Sequence, residues 1–196
     1  MMGIYYTFGS MRTKDRRFIK TEAIIQKSMI SLLNERNAEE LQIEDLVMEA
    51  DINKSTFYLH YQSLDLLVSA LEDELLSGLT VKINELDTNH SRFAFFDTCL
   101  NFLRDNKKLA KAVLNASTFR FNQKVEDFGK DFLIPAPAKK RNRLVSNVEF
   151  LESSLIQSVV AYIRVWIFDS CRFENEKCIS DLIELCGSNI YKDLLR

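Results

Sequence analysis

Residues 41–67, LQIEDLVMEADINKSTFYLHYQSLDLL, constrain the fold more than any other part of this 196-residue chain, because they read as two short helices joined by a tight turn. Ile43, Leu46 and Val47 recur at helical spacing, and Ala50 is small enough for a crossing helix to come close. Asp51, Ile52 and Asn53 form the connection. Asp and Asn tolerate turn conformations, and the Asn53 side chain can cap a second helix by accepting from the backbone N–H of Ser55 or Thr56. That helix starts near Lys54. Phe57 and Tyr61 face inward on it, while Lys54, Ser55, Thr56, Tyr58 and His60 are left outside as groups suited to phosphates and base edges.

The rest of the chain predicts an all-α fold. Five Gly and two Pro are too few for the many turns of a strand-rich protein, and 46% hydrophobic residues with 14 Phe are ample for a core. Residues 15–35 place Phe18, Ile25, Met29 and Leu32 on one helix face, so a three-helix unit over 15–62 buries Ile25, Met29, Leu33, Leu46, Phe57 and Tyr61 together. Ser63 is a plausible cap, with Asp65 in the first turn, for a helix in which Leu67, Leu71 and Leu75 repeat towards Gly78. Further helices are expected over 92–104 and 109–121. Residues 129–143 read as a loop, because Pro135 and Pro137 cannot lie inside an ordinary helix, and the basic run Lys139, Lys140, Arg141 and Arg143 reads as its solvated part. Residues 144–172 are apolar on more than one side, and a last helix is expected over 178–195. Two such helices call for cover on nearly every face, and pairing with a second copy supplies it.

A formal net charge of −2 gives no overall attraction to a polyanion, so nucleic-acid binding would rest on local charge. Arg12, Lys14, Arg16, Arg17 and Lys20 oppose a single acid, Asp15, just before the first helix, where basic arms track phosphates or enter the minor groove. The four cysteines, Cys99, Cys171, Cys178 and Cys186, form no C-x-x-C pair and read as reduced core residues of a cytoplasmic protein. No run approaches the roughly 18 consecutive apolar residues that cross a bilayer. The N-terminus lacks the pattern of a signal peptide, and residues 1–11 read as a flexible extension. An enzyme finds little support: there are two His, no glycine-rich phosphate loop, no H-E-x-x-H and no nucleophile elbow, and His90 lies in a polar stretch that reads as an exposed loop. No cofactor or metal is expected.

The hexapeptide Thr56-Phe57-Tyr58-Leu59-His60-Tyr61 resembles the Thr-aromatic-Tyr-x-His-aromatic signature of the TetR family of transcriptional regulators, and the resemblance extends over residues 21–76. INKSTFYLHY is most similar to the subgroup related to regulators of dihydroxyacetone kinase. The resemblance implies a helix-turn-helix DNA-binding domain over 12–62 and a helical effector-binding and dimerisation domain over 63–196. It implies a homodimer through the last two helices, facing a pseudo-palindromic operator of double-stranded DNA, and a repressor released by a small-molecule effector. Lys54, Ser55, Thr56 and Leu59 would meet base edges, Tyr58 and His60 phosphates, with Asn53, Gln42 and Glu44 beside them and Arg12, Lys14, Arg16 and Arg17 as the arm. Phe93, Phe96, Phe102, Tyr162 and Trp166 are the expected lining of the effector pocket. Two positions depart from the family: Asp51 stands where Gly is usual in the turn, and Leu64 where a Lys usually holds a phosphate. The alternative reading is a protein of this fold that acts by pairing with another protein and binds DNA weakly or not at all.

Overall fold

The computed structural model describes residues 16–87, 91–116, 119–134 and 148–187, and among these the chain forms nine α-helices, one short 3-10 turn and no strand. The first three helices are α1 (Arg16–Glu35), α2 (Ile43–Glu49) and α3 (Lys54–His60), with the 3-10 turn Ala38–Glu40 between α1 and α2. Ile25, Met29, Leu32 and Leu33 recur on one face of α1, and they are buried with Leu46, Phe57 and Tyr61 in a common core. Arg36, just past α1, pairs with Asp45 of α2 at 2.9 Å and so ties the two helices at the surface.

Helix α4 (Leu64–Asn84) starts where the Ser63 hydroxyl accepts from the Leu66 N–H at 3.2 Å, with Asp65 at the positive end of the helix dipole. Its apolar stripe, Leu67, Leu71, Leu75, Leu79 and Ile83, is buried along the whole length. The helix runs past Gly78 to Asn84. A Cβ there would sit 2.7 Å from the Phe102 ring, so the glycine serves close helix packing inside α4 and not its termination.

The remaining helices are α5 (Arg92–Asp105), α6 (Lys107–Ala116), α7 (Phe119–Phe132), α8 (Val148–Phe168) and α9 (Asn175–Gly187). Helix α4 packs on α5, α6 and α7; α8 lies against α6 and α7; α9 closes over α5 and α8. Helix α1 packs most extensively against α6, which joins the first three helices to the rest along a second line besides α4.

Three expected boundaries are corrected. The single helix over 109–121 is two helices, α6 and α7. Ala110 and Phe121 lie eleven positions apart, as do Leu114 and Val125, about three helical turns, so the two helices keep the apolar spacing of one. The loop expected from Gly129 begins later, because α7 continues to Phe132 with Gly129 buried against Ile156 of α8. Helix α8 ends at Phe168, short of the expected Arg172, before a turn in which Ser170 and Cys171 both take left-handed φ, 63° and 57°, and α9 starts at Asn175, earlier than the expected Cys178. The prolines, the basic run at 139–143, His90 and the end of the last expected helix lie outside the described residues.

Helix α8 is the one described helix long and apolar enough to cross a membrane by length and composition. Here it is a packing helix, with Leu155, Ile156, Val159, Trp166 and Ile167 buried against its neighbours. Cys99, Cys178 and Cys186 are buried, and burial pushes the Cys99 thiol up to about 12 and that of Cys186 to about 11. Both therefore remain protonated at neutral pH, which removes their nucleophilic form.

Candidate nucleic-acid interface

The connection between α2 and α3 is a Schellman turn. Asp51 takes φ 50°, its N–H donates to the Met48 carbonyl at 3.3 Å, and the Ile52 N–H donates to the Val47 carbonyl at 3.0 Å. Val47 and Ile52 both pack against the core, supplying the apolar contact such a turn carries. Asp51 thus occupies the left-handed position where the TetR resemblance led one to expect Gly. Asp51→Gly is expected to stabilise the chain by about 0.5–1 kcal/mol, because Gly adopts this φ without steric cost. Urea unfolding of the two proteins checks it, and a variant less stable than the parent would show that the Asp51 side chain makes good that cost.

Asn53 then caps α3. Its Oδ1 accepts from the Thr56 N–H at 2.8 Å and from the Ser55 and Thr56 hydroxyls at 2.7 and 2.8 Å. Phe57 is fully buried, and its ring lies 6.4 Å from that of Tyr61. Tyr61 is fixed from the far side, where Gln26 of α1 donates to its hydroxyl at 3.0 Å. With that face anchored, the opposite face turns to solvent: Lys54 and Ser55 are exposed, Tyr58 is 53% exposed and Leu59 is 76% exposed.

The other expected contact residues are less uniform. Thr56 is half-buried by its own capping role. His60 is half-buried and stacks on Phe18 of α1, ring centres 3.9 Å apart, so its imidazole faces α1 more than solvent. Gln42 and Glu44 are exposed at the start of α2, where the Gln42 N–H donates to Asp45 at 2.9 Å. Glu44 forms an ion pair with Lys54, which holds the Glu44 carboxyl below its usual range and Lys54 above its own. Arg16 and Arg17 are exposed at the start of α1; Arg12 and Lys14 lie outside the described residues. Leu64 is half-buried as the first residue of α4.

The five residues expected to line an effector pocket are not gathered in one place. Phe96 faces an apolar cavity of about 110 Å³ lined by α4–α8. Phe93 is instead exposed, Phe102 covers Gly78 beside a polar cleft between α4 and α5, and Tyr162 and Trp166 line a groove between α8 and α9. The rest of the cavity wall comes from residues not expected there, among them Leu76, Phe95, Val125, Phe128, Val159 and Val160.

The chain is similar to a TetR transcriptional regulator from Streptococcus agalactiae, with TM-score 0.67 and 20% identity over 88% of this chain and 96% of that one. The fold is TetR-like. It is also similar to the dihydroxyacetone kinase operon activator DhaS (TM-score 0.54, 20% identity, 90% of this chain and 97% of that one). The fatty acid degradation regulator FadR from Bacillus halodurans aligns with TM-score 0.55 and 14% identity over 86% of this chain and 96% of that one. No protein-family model and no curated protein sequence matches the chain.

Within this TetR-like fold one polar cluster was missed. Glu72 of α4 is only 1% exposed, and Lys124 of α7 reaches it at 2.9 Å while also pairing with Asp73 at 2.7 Å and donating to the Ser69 hydroxyl at 2.9 Å. The signal was present: Glu72 falls on the apolar stripe of α4, four positions after Val68 and three before Leu75. A carboxylate in that register requires a cation from a packed neighbour. Among the described residues no group of His, Cys, Asp or Glu is arranged to hold a metal ion.

Proposed function

We propose that this chain is a DNA-binding transcriptional regulator, acting as a dimeric repressor that a small-molecule effector releases, with residues 12–62 meeting DNA and 63–196 carrying effector binding and dimerisation. The observation that carries the reading is the two-sidedness of α3, with Phe57 fully buried and Lys54, Tyr58 and Leu59 exposed on the far side. A short helix braced in this way by two others is the form that enters a major groove. Leu59 suits a thymine methyl, Lys54 a base acceptor and Tyr58 a phosphate. Homodimer formation is supported by α8, where Ala161, Arg164, Val165 and Phe168 form one outward stripe and Val165 is 71% exposed. The outward side of α9, with Glu176, Lys177 and Glu184, supplies a charged rim to that patch.

Selection from random duplexes at fixed salt, followed by shift assays on the enriched sequence, tests the assignment. Tyr58→Ala should weaken all sequences alike, and together with Lys54→Ala the loss should reach about tenfold or more with the fold intact. Unchanged affinity in that double variant rejects α3 as the DNA-reading helix. A second reading, a partner-binding protein that does not read DNA, is favoured by the Glu44–Lys54 pair, which neutralises the one cation on α3, and by Leu64. Under that reading the selection enriches nothing above background.

A further inference from the structure

The cavity among α4–α8 has a composition that restricts its occupant. Among the described residues its lining is hydrocarbon from Leu, Ile, Val and Phe side chains, with the Cys99 thiol and the backbone at Gly129 as the exceptions. The surrounding backbone is helical, so its N–H and C=O groups are already bonded along the helices. None of the lining side chains is charged, and Lys124, next in sequence to the lining residue Val125, is held by Glu72 and Asp73. We infer that this cavity binds a small, uncharged, apolar molecule of about the size of a single benzene ring, and that this molecule is the effector of the regulator proposed above, on which reading the second half of the statement rests.

Size and charge point the same way. A volume of about 110 Å³ is somewhat below that of a cavity of roughly 150 Å³ that takes up benzene or xenon. The half-buried lining residues Leu76, Phe128 and Val160 have room to give. With almost no polar group on its walls, the space offers water no hydrogen-bond partner, so entry displaces no tightly held water. A carboxylate or an ammonium entering it would lose its hydration with no counter-ion in return. The walls also explain why an occupant would matter. Leu75, Leu76 and Leu79 belong to α4, the helix that carries the first three helices into the bundle, so filling the cavity presses on the element leading to α3.

The test compares benzene with benzoate and benzylamine, the same ring with and without charge. Methyl NMR of Val125, Val159 and Val160 and the melting temperature of the full chain are the readouts. Benzene should shift those methyl resonances and raise Tm by about 4 °C at ten times its Kd, while both charged analogues bind at least about 30-fold more weakly. Val160→Phe should fill the space and abolish benzene binding. Should that variant fail to fold, Phe128→Ala, which enlarges the space, should admit naphthalene. Charged analogues binding as tightly as benzene, or methyl resonances unmoved by every neutral probe, overturn the inference. The selected duplex separates the two claims. If benzene binds and no duplex is ever enriched, the regulator reading falls and the cavity assignment stands; if a duplex is bound and benzene leaves the methyls unmoved, the reverse holds.

Discussion

Phe57→Ala is expected to lower stability by about 4 kcal/mol and Tm by roughly 10 °C or more, the larger of the single-residue effects anticipated here. The side chain is completely enclosed, in one core with Ile25, Met29 and Leu46, and its ring meets those of Tyr58 and Tyr61 at 5.4 and 6.4 Å. Truncation removes the transfer free energy of the ring and leaves a cavity that three mutually braced helices have little freedom to collapse. Thermal unfolding followed by circular dichroism measures the loss. A loss under about 1 kcal/mol would mean that α3 is held by its cap and turn alone. The contrast with Tyr58→Ala is informative, since that exposed ring should cost little stability while changing what α3 can bind.

Lys124→Met is expected to cost about 3 kcal/mol, read as a Tm lower by about 9 °C. It removes the ammonium that reaches the enclosed Glu72 carboxylate, and the cost lies at the lower end for such a loss because Lys124 is itself about a quarter exposed. Glu72→Leu in the same chain should recover at least half of the loss, since a leucine suits the stripe it would join. Burial pulls the Lys124 ammonium down, but the hydrogen bonds to Asp73 and Glu72 outweigh burial and hold it above its ordinary 10.5. A pKa raised by folding gives stability that is complete below the unfolded value and fades as pH climbs through the folded one. The parent should therefore lose this contribution only above about pH 10.5, whereas Lys124→Met should show no such step. A double variant no more stable than the single one would show that the pair is not what holds α7 to α4.

What could be read from sequence was local. The cap at Asn53, the turn at Asp51 and the inward pair Phe57 and Tyr61 each involve residues within a few positions of one another, and each is found where expected. What could not be read was decided by distant partners. Gly129 looks like the start of a loop until Ile156 is seen to press on it, and nothing beside Gly78 in sequence announces the Phe102 ring. The aromatic residues expected around the cavity mostly lie elsewhere, because the direction a side chain takes depends on which neighbour its helix meets; Trp166 and Tyr162 turn towards α9, and of the five only Phe96 reaches the cavity. Lys54 reads as a lone donor until Glu44, ten positions earlier, is placed beside it.

Besides the continuous rod of α4, the N-terminal three-helix unit is fastened where α1 lies on α6, through Asn115 donating to the Leu33 carbonyl at 3.0 Å and Asn34 donating to that of Lys108 at 3.0 Å. A body fixed at one point can swivel in any direction; fixed at two, it is left with rotation about the line that joins them. In the dimer proposed above, the angle between the two reading heads would then change along one coordinate only, like the jaws of callipers.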